Sequence, residues 1–475
     1  MKTRIYLLTL LFVLCSLNNA VSQDSMDSLI QRFFTGKQQL QNNYHTYVDS
    51  INVQFADYLA NNWELFSINS PITRSGEPEP AYMPVYEPYD TIATTMADTL
   101  LIEWAPRKND MQSAASKESS GAPMIDFFGT PVTVTPFDGY ETKLQGTNEK
   151  QVANYWMQLS KTNYPSFIHD ISTKKEALGI GSWGLYRLVL EWANTSFHKS
   201  QEDEKAVFIV YMLNQAGYKA KIGRLNNTLV VMMAFTNTIY GKPFIRSGND
   251  SYYILSDQTI TGASLSSYKL DYGPATSFFD LHTKTLPRLN ENTHTVIRLF
   301  RDKTYTFKFN SNLTHYYHTF PQTELKIYVD TPFSAIAEDS IVRELAYDLQ
   351  NKSVPDKLKF LLALIQEGFE YKTDEEQFGY EKSFFAEETL LYPYSDCEDR
   401  AILFCKMVKL LCGLDTLLID YPTHVASAVK SDEPGDAIMY HNERYIVCDP
   451  SFIGAPIAKT MKGQDNTKAK IIEVQ

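Results

Sequence analysis

The sequence has few cysteines, no surplus of positive charge and, beyond its first residues, no long apolar run. Only 5 of the 475 residues are Cys. Cys405 and Cys412 lie two helical turns apart, roughly 10 Å along a helix axis, which is too far for a disulfide. We therefore do not expect a disulfide scaffold. The formal net charge of -12 disfavours nucleic acid and anionic membrane surfaces as partners, and no later stretch is apolar enough to predict a transmembrane segment.

The first 22 residues have the pattern of a secretory signal. Lys2 and Arg4 precede an apolar core over residues 5–17, and the small residues Ala-Val-Ser at 20–22 fit a cleavage site. The apolar core is too short for an ordinary membrane span. The sequence therefore predicts an exported protein, periplasmic or extracellular after cleavage.

Composition and local pattern predict a folded chain of several units. Hydrophobic residues make up 44% of the chain and charged residues 21%, which is typical of globular proteins. We predict an α+β fold class with a signal peptide, an N-terminal helical segment, a Pro- and Ser-rich linker, a first folded unit, a small β module and a C-terminal unit. The predicted bounds, in that order, are 1–22, 23–69, 70–123, 124–285, 286–335 and 336–475.

The C-terminal unit carries a Cys, a His and an Asp in that order, each at the boundary of a predicted element. Apolar residues recur at steps of three and four from Cys397 to Leu411, which predicts an amphipathic helix that stops at Gly413. His424 begins a predicted strand and Asp449 ends another. Unpaired N–H groups at a helix N-terminus favour thiolate over thiol. The set is what a thiol nucleophile, its base and an orienting acid require.

This region resembles the transglutaminase-like superfamily, which belongs to the papain-like group of cysteine enzymes. The resemblance rests on Asp-Cys-Glu-Asp at 396–399, on His424 at a strand start, and on Val-Cys-Asp-Pro at 447–450. It implies a helix-plus-antiparallel-sheet domain. It further implies that Cys397 is the nucleophile, His424 the general base and acid, and Asp449 the residue that orients the imidazole.

The resemblance also implies an oxyanion hole and bears on the acyl acceptor. Backbone N–H groups at the helix start would supply one part of the hole, and a side chain before the helix would supply the other. The candidates are Gln377, Tyr380 and Tyr394. Many family members carry a Trp two residues after the His, where this chain has Ala426. That departure favours water over an amine as acceptor, and hence hydrolysis over protein cross-linking.

The first folded unit contains an altered copy of the same pattern. A helix predicted from Glu202 ends at Gly217, and the segment after it ends in Tyr-Ile-Leu-Ser before Asp257, as the C-terminal segment ends in Tyr-Ile-Val-Cys before Asp449. We interpret this as an internal repeat, with chance similarity as the alternative. The alignment puts Glu202 at the nucleophile position, Thr228 at the base position and Asp257 at the orienting position. Glu and Thr cannot perform thiol–imidazole chemistry, so we expect this copy to be inactive.

Two further segments receive structural predictions. Apolar residues at every fourth position over 47–63 predict an N-terminal helix. Alternation over 295–309, repeated at Leu325, Ile327 and Val329, predicts a small β module that joins the two copies. His315 and His318 are predicted to lie in a surface aromatic loop of this module. They lack an obvious third ligand, and no HExxH motif occurs, so neither a metal nor an organic cofactor is predicted.

The sequence leaves two functions open. One is an exported, cysteine-dependent acyl-transfer enzyme that acts on a peptide or protein substrate. The other is a catalytically inactive transglutaminase-like scaffold or binding protein of the cell envelope. An accessible Cys397 within reach of His424 would favour the enzyme, and a buried Cys397 would favour the scaffold. The sequence does not predict an oligomeric state.

Overall fold

The structure is a computed structural model that describes residues 49–74, 81–82, 123–139, 142–255, 265–283 and 285–475, with the single positions 32, 35 and 260. The predicted signal peptide, most of the predicted linker, and Asp257 lie outside the described residues. The fold is α+β, as predicted, with helices packed against curled antiparallel sheets. None of the helices in this part of the chain has the length and apolarity that a membrane crossing requires.

The first half of the described chain contains five helices and nine strands. Helix α1 covers residues 49–61. The first four strands are β1 (Trp63–Phe66), β2 (Ala81–Tyr82), β3 (Met124–Phe127) and β4 (Thr130–Thr133). The next four helices are α2 (Glu149–Leu159), α3 (Tyr164–Leu178), α4 (Gly181–Ser196) and α5 (Glu202–Gln215). The sheet strands that follow are β5 (Ala220–Leu225), β6 (Thr228–Ala234), β7 (Phe244–Ser247), β8 (Asp250–Ile254) and β9 (Leu265–Tyr268).

The second half begins with a hairpin and ends in a second helix-plus-sheet unit. The hairpin and the helices after it are β10 (Thr293–Phe300), β11 (Lys303–Asn310), α6 (Ser311–His318), α7 (Leu325–Asp330), α8 (Ala335–Leu349) and α9 (Val354–Gly368). Short elements follow: β12 (Glu370–Tyr371), α10 (Asp374–Phe378), α11 (Ala386–Leu391) and β13 (Tyr394–Ser395). The last unit comprises α12 (Cys397–Cys412), β14 (Thr416–Tyr421), β15 (His424–Lys430), β16 (Ala437–Tyr440), β17 (Glu443–Cys448), β18 (Phe452–Ile453) and β19 (Lys470–Glu473).

The two larger sheets have the same strand order relative to the helix that precedes them. The order after α5 is β9-β5-β6-β8-β7, with β1 added beyond β9, and the order after α12 is β19-β14-β15-β17-β16. In both sheets the strand that comes last in the chain, β9 or β19, pairs antiparallel with the first strand after the helix, β5 or β14. Helices α5 and α12 each pack on their own sheet. The two units therefore share one topology, which is what a repeat of the same fold requires.

The predicted β module is only half β. The hairpin β10–β11 is present, but the segment Leu325–Asp330, predicted as a strand, is helix α7. Four of its six residues are buried, so apolar residues occupy more than one helical face and the apparent period of two is misleading.

The surface loop predicted around His315 and His318 is wrong. Both residues belong to helix α6, which begins where the Asn310 side chain accepts a hydrogen bond from the Asn312 N–H. Tyr316 and Tyr317, which lie between the two histidines in sequence, are buried. The prediction of a helix through Trp63 is also wrong, because Trp63 begins strand β1.

The segment from Trp63 to Arg74, which we call the N-terminal strap, crosses from the first unit to the second. Its β1 pairs antiparallel with β9, and Asn69 and Ile72 form bridges with Phe244 and Tyr240. Arg74 then reaches the C-terminal unit. Farther along, β2 pairs in parallel with β18, directly after Asp449. The N-terminal region therefore meets the C-terminal unit at two places, at Glu398 next to Cys397 and at β18, which begins three residues after Asp449.

Candidate functional site

Cys397 is the first residue of helix α12, with Asp396 as its N-cap. The side chain is fully buried. Its Sγ accepts a hydrogen bond from the Val425 N–H at 3.3 Å, and the thiol donates to Glu398 Oε2 at 3.5 Å. The bond from Val425 places the sulfur against the start of strand β15, directly beside His424 in the chain.

His424 and Asp449 form the second part of the site. The hairpin of β14 and β15 turns between Tyr421 and His424, and His424 Nε2 lies 2.8 Å from Asp449 Oδ2. The other carboxylate oxygen of Asp449 accepts the N–H groups of Ser451 and Phe452 at 2.9 and 3.1 Å, so its orientation is fixed. His424 Nδ1 is buried and has no hydrogen-bond partner among the described residues.

The structure thus pairs His424 with Asp449 and places the Cys397 sulfur against Val425, the residue after His424. The thiol donates to Glu398, and His424 Nδ1 is unpaired among the described residues, so the expected thiol–imidazole hydrogen bond is not formed in this conformation.

The protonation of Cys397 differs from the sequence-based expectation of a thiolate. Burial and, after it, the charge of Asp396 raise the pKa of the Cys397 thiol well above its usual range. The Val425 N–H and the Arg74 guanidinium lower that pKa, but by less. Desolvation disfavours the charged form of the group, and here it outweighs the helix N-terminus. Cys397 is therefore a neutral thiol in this conformation.

Buried carboxyl groups surround the start of α12. One carboxylate oxygen from each of Asp374, Asp396 and Glu398 lies within 4.8 Å of the others, so oxygen ligands for a hard cation are present. Neither Asp396 oxygen accepts a hydrogen bond from a described N–H or hydroxyl group, although the Asp399 carboxyl is in contact with it. Burial, followed by the charge of Glu381, raises the pKa of Asp374 to about 7. Burial likewise raises the pKa of Asp396 well above its usual range.

Arg74 of the N-terminal strap enters this acidic region. Its Nη1 donates to Glu398 Oε1 at 2.8 Å and to Ser383 Oγ at 3.2 Å. The carboxylates of Glu381 and Asp420 lie 3.6 and 4.0 Å from the guanidinium nitrogens. Sequence reasoning missed Arg74, because a residue in a Pro-rich segment so far from Cys397 in the chain carries no local signal of this contact.

The predicted oxyanion donors lie in three different places. Gln377 is in α10, Tyr380 is 54% exposed, and Tyr394 is in β13 with the Lys372 ammonium 5.1 Å from its ring. Another phenol, close to the start of α12, is Tyr371, whose pKa is raised by burial first and by the charge of Cys397 next. The parallel pairing of Tyr371 with Ser395 produces this proximity, and a pairing of two-residue strands has no sequence signature.

Two buried polar side chains hold the site elements together. Gln366 of α9 donates its amide N–H groups to the carbonyl oxygens of Asp449 and Phe452, both at 2.9 Å. Arg400 of α12 donates to the carbonyl oxygens of Phe369 and Pro450. These bonds fix the start of α12 and the end of β17 relative to each other.

In the first unit, the residue that meets the equivalent strand is Asp203 rather than Glu202. Asp203 Oδ1 accepts the Leu229 N–H at 2.6 Å, as Cys397 Sγ accepts the Val425 N–H. The Glu202 side chain is 65% exposed and pairs with Lys205. Thr228 begins β6, as predicted from the alignment, and its hydroxyl donates to the Leu225 carbonyl oxygen at 2.8 Å. A carboxylate therefore stands where the second unit has a thiol.

A cleft of about 1540 Å³ separates the two units. The first unit contributes Glu202 and Thr228 to its lining, the second contributes Asp374 and Tyr380, and Arg74 lies between them. Arg74 also lines a smaller cavity of about 240 Å³ beside Asp420 and Tyr421. Glu202 and Thr228, which the alignment places at the nucleophile and base positions, thus line a cleft shared with the second unit.

Comparison with protein-family models, with curated proteins and with solved structures finds no match to this chain.

Proposed function

We propose that the protein is an exported cysteine-dependent enzyme that hydrolyses peptide or amide bonds, with Cys397 as nucleophile, His424 as base and Asp449 as orienting acid. In this proposal both units have a transglutaminase-like fold, and the first is a degenerate copy. One observation carries it: Asp449 holds His424 through Nε2, Nδ1 has no hydrogen-bond partner among the described residues, and the Cys397 sulfur accepts the N–H of the next residue, Val425. A Cys–His–Asp set requires this division of the two imidazole nitrogens.

The chemistry proceeds in two halves. His424 Nδ1 takes the thiol proton, and the Cys397 sulfur adds to the substrate carbonyl carbon. The C–N bond then breaks, and His424 gives its proton to the leaving amine, so that a thioester remains. Water, deprotonated by His424, attacks the thioester carbon. The C–S bond breaks, the carboxylic acid leaves, and the proton returns to the sulfur.

The conformation described here is a closed form in this proposal. Cys397 is fully buried and His424 is only 3% exposed, so a substrate reaches the thiol only after a rearrangement. Arg74 and β2 contact the C-terminal unit from positions that are distant in the sequence. Their displacement exposes the site without disturbing α12 or its sheet. In this proposal Tyr371, which pairs with Ser395 two residues before Cys397, donates a hydrogen bond to the oxyanion.

The test is the pH dependence of iodoacetamide alkylation at Cys397, followed by mass spectrometry of the Cys397 peptide in wild type and in His424→Ala. Once the site opens, an imidazole-assisted thiol reacts well below the free-thiol pKa of about 8.5. We expect wild type to retain alkylation at about pH 6 and His424→Ala to lose most of it. Cys405 and Cys448, both buried, are internal controls whose labelling should not depend on His424.

The full burial of Cys397 favours a second function, that of an inactive scaffold or envelope binding protein in which the thiol is a core side chain. In that case the alkylation profile is that of an ordinary buried thiol, and it is the same in wild type and in His424→Ala. This result would exclude the enzymatic proposal.

A further inference from the structure

The environment of Arg74 is that of a ligand bound in a pocket. The residue reaches the C-terminal unit from the N-terminal strap, where Asn69 and Ile72 are held by bridges to Phe244 and Tyr240. Its side chain is 13% exposed. The guanidinium meets Glu398 at 2.8 Å, with Ser383, Glu381 and Asp420 around it. A guanidinium with several carboxylates at its edges is the arrangement by which proteins recognise basic side chains.

The pocket contains more carboxyl groups than Arg74 pairs with. Asp374 and Asp396 share the 4.8 Å cluster with Glu398, whereas within the described chain the ion pairs of Arg74 are with Glu381, Glu398 and Asp420. Asp396 is fully buried, yet neither of its oxygens accepts an N–H or hydroxyl hydrogen bond from the described residues. Burying a carboxyl group without a donor is unfavourable. The Asp396 carboxyl contacts the Asp399 carboxyl and no cationic donor, so a positively charged side chain is the donor that this part of the pocket lacks among the described residues.

Glu398 joins this pocket to the candidate nucleophile. One of its carboxylate oxygens accepts from Arg74 and the other accepts from the Cys397 thiol. Arg74 also lines both the large cleft and the smaller cavity next to Tyr421. A basic side chain bound in place of Arg74 would contact the same Glu398 carboxylate that accepts from the Cys397 thiol. The rest of that peptide would extend along the cleft.

We propose that the carboxyl groups around Arg74 form a specificity subsite for an arginine or lysine side chain of the substrate, and that Arg74 occupies this subsite in the closed form. This inference rests on the proposed function, and it names the substrate class: peptides with a basic residue at or next to the bond that is cleaved. Arg74 is then an internal mimic of the substrate side chain. Its release both opens the subsite and removes a contact that closes the site.

The experiment is isothermal titration calorimetry of the full chain with N-acetyl-arginine amide as the probe. N-acetyl-citrulline amide, which has nearly the same shape and no charge, is the matched neutral probe. We expect Arg74→Ala to bind the arginine probe at least roughly tenfold more tightly than wild type, because the probe then makes the charge-assisted hydrogen bonds that Arg74 makes in wild type. The citrulline probe should not bind. Adding Glu398→Gln to Arg74→Ala should abolish the gain.

The surface variant Arg343→Ala is the control, because the Arg343 side chain is 76% exposed and pairs with Asp339 of its own helix. It should bind the probe as weakly as wild type does. If Arg74→Ala does not fold, Arg74→Gln removes the charge and keeps most of the side-chain length. Equal binding of the arginine and citrulline probes, or no gain in a folded variant, overturns the proposal. So does a variant that binds Ca²⁺ but not the arginine probe, since the cluster would then be a metal site.

The binding measurement and the alkylation measurement fail independently. Calorimetry with the amide probe needs neither a reactive thiol nor turnover, and the alkylation profile of Cys397 needs no basic ligand. If the probe does not bind but the alkylation of Cys397 still depends on His424, the subsite proposal fails and the enzymatic proposal stands. If the probe binds but the alkylation of Cys397 does not depend on His424, the pocket binds a cation and the enzymatic proposal fails.

Discussion

At the scale of single residues, the C-terminal unit is marked by carboxyl groups that the fold removes from water. Glu387 is an example outside the candidate site. Its carboxylate accepts hydrogen bonds from the N–H and the hydroxyl of Ser334, the N-cap of α8, and it is only 2% exposed. Burial nevertheless raises the pKa of Glu387 to about 7. The two hydrogen bonds therefore do not compensate for the lost hydration of the charge.

The raised pKa of Glu387 predicts that it stabilises the protein less as the pH rises. The folded state binds the proton more tightly than the unfolded state, so stability is fully present below the unfolded pKa of about 4.3 and is lost as the pH rises through about 7. The side chain in Glu387→Gln does not titrate, so the variant lacks this pH-dependent contribution to stability. We expect the free energy of unfolding of the variant, relative to wild type, to increase by about 2 kcal/mol between about pH 5 and about pH 8.

Urea unfolding of both proteins at several pH values measures this difference. The control is Glu176→Gln, at a glutamate whose side chain is 77% exposed, which should show no such trend. A difference between Glu387→Gln and wild type that stays constant with pH would mean that Glu387 is ionised throughout this range.

At the scale of elements, the site depends on how helix α9 holds the end of β17. The Gln366 amide lies within hydrogen-bonding distance of three carbonyl oxygens, those of Asp449, Phe452 and Ala455. These carbonyls belong to the loop that sets the direction of the Asp449 side chain. One buried side chain thus substitutes for the ladder bonds that a longer strand would have provided.

We predict that Gln366→Met destabilises the protein by about 2 kcal/mol, because buried carbonyl groups lose their donor while the side-chain volume is nearly kept. The free energy of unfolding from urea titration is the measurement. Gln350→Met changes an exposed glutamine at the end of α8 and should alter stability by less than about 0.5 kcal/mol. Equal losses in the two variants would show that the amide of Gln366 does not contribute through these bonds.

At the scale of the whole molecule, the two units share one hydrophobic core. A single cluster of buried apolar side chains extends from Phe55 in α1 to Val474 at the end of the C-terminal sheet. The N-terminal strap pairs with the first sheet and reaches the second unit through Arg74. A shared core of this kind predicts that neither unit is stable after the other has unfolded.

The distribution of Trp and Cys residues allows this prediction to be tested without mutation. All Trp residues precede position 193, whereas Cys405 and Cys448 both lie in the second unit. Tryptophan fluorescence therefore follows the first unit, and pulse labelling of the two buried thiols follows the second. We expect the two probes to give the same urea midpoint. Midpoints that differ beyond experimental error would show that the units unfold separately.

The local pattern of the chain determined the elements of the site and their order. The steps of three and four after Cys397 predicted α12, and strands that begin at His424 and end at Asp449 were expected from their β-branched and aromatic residues. The second of these strands ends one residue earlier, at Cys448. The alignment of the two copies also predicted their common topology. Such features can be predicted because periodicity and capping depend on residues close together in the chain.

Only the tertiary structure determined the surroundings of those residues. The burial of Cys397, its raised pKa, the proximity of Tyr371 and the insertion of Arg74 beside Glu398 all depend on contacts between distant segments. The helix at Leu325–Asp330 was missed for the same reason, since packing on several sides produced an apolar pattern that alternates like a strand. A short-range pattern specifies which face of an element is apolar, whereas the packing of distant segments decides which charges meet there and how much water remains.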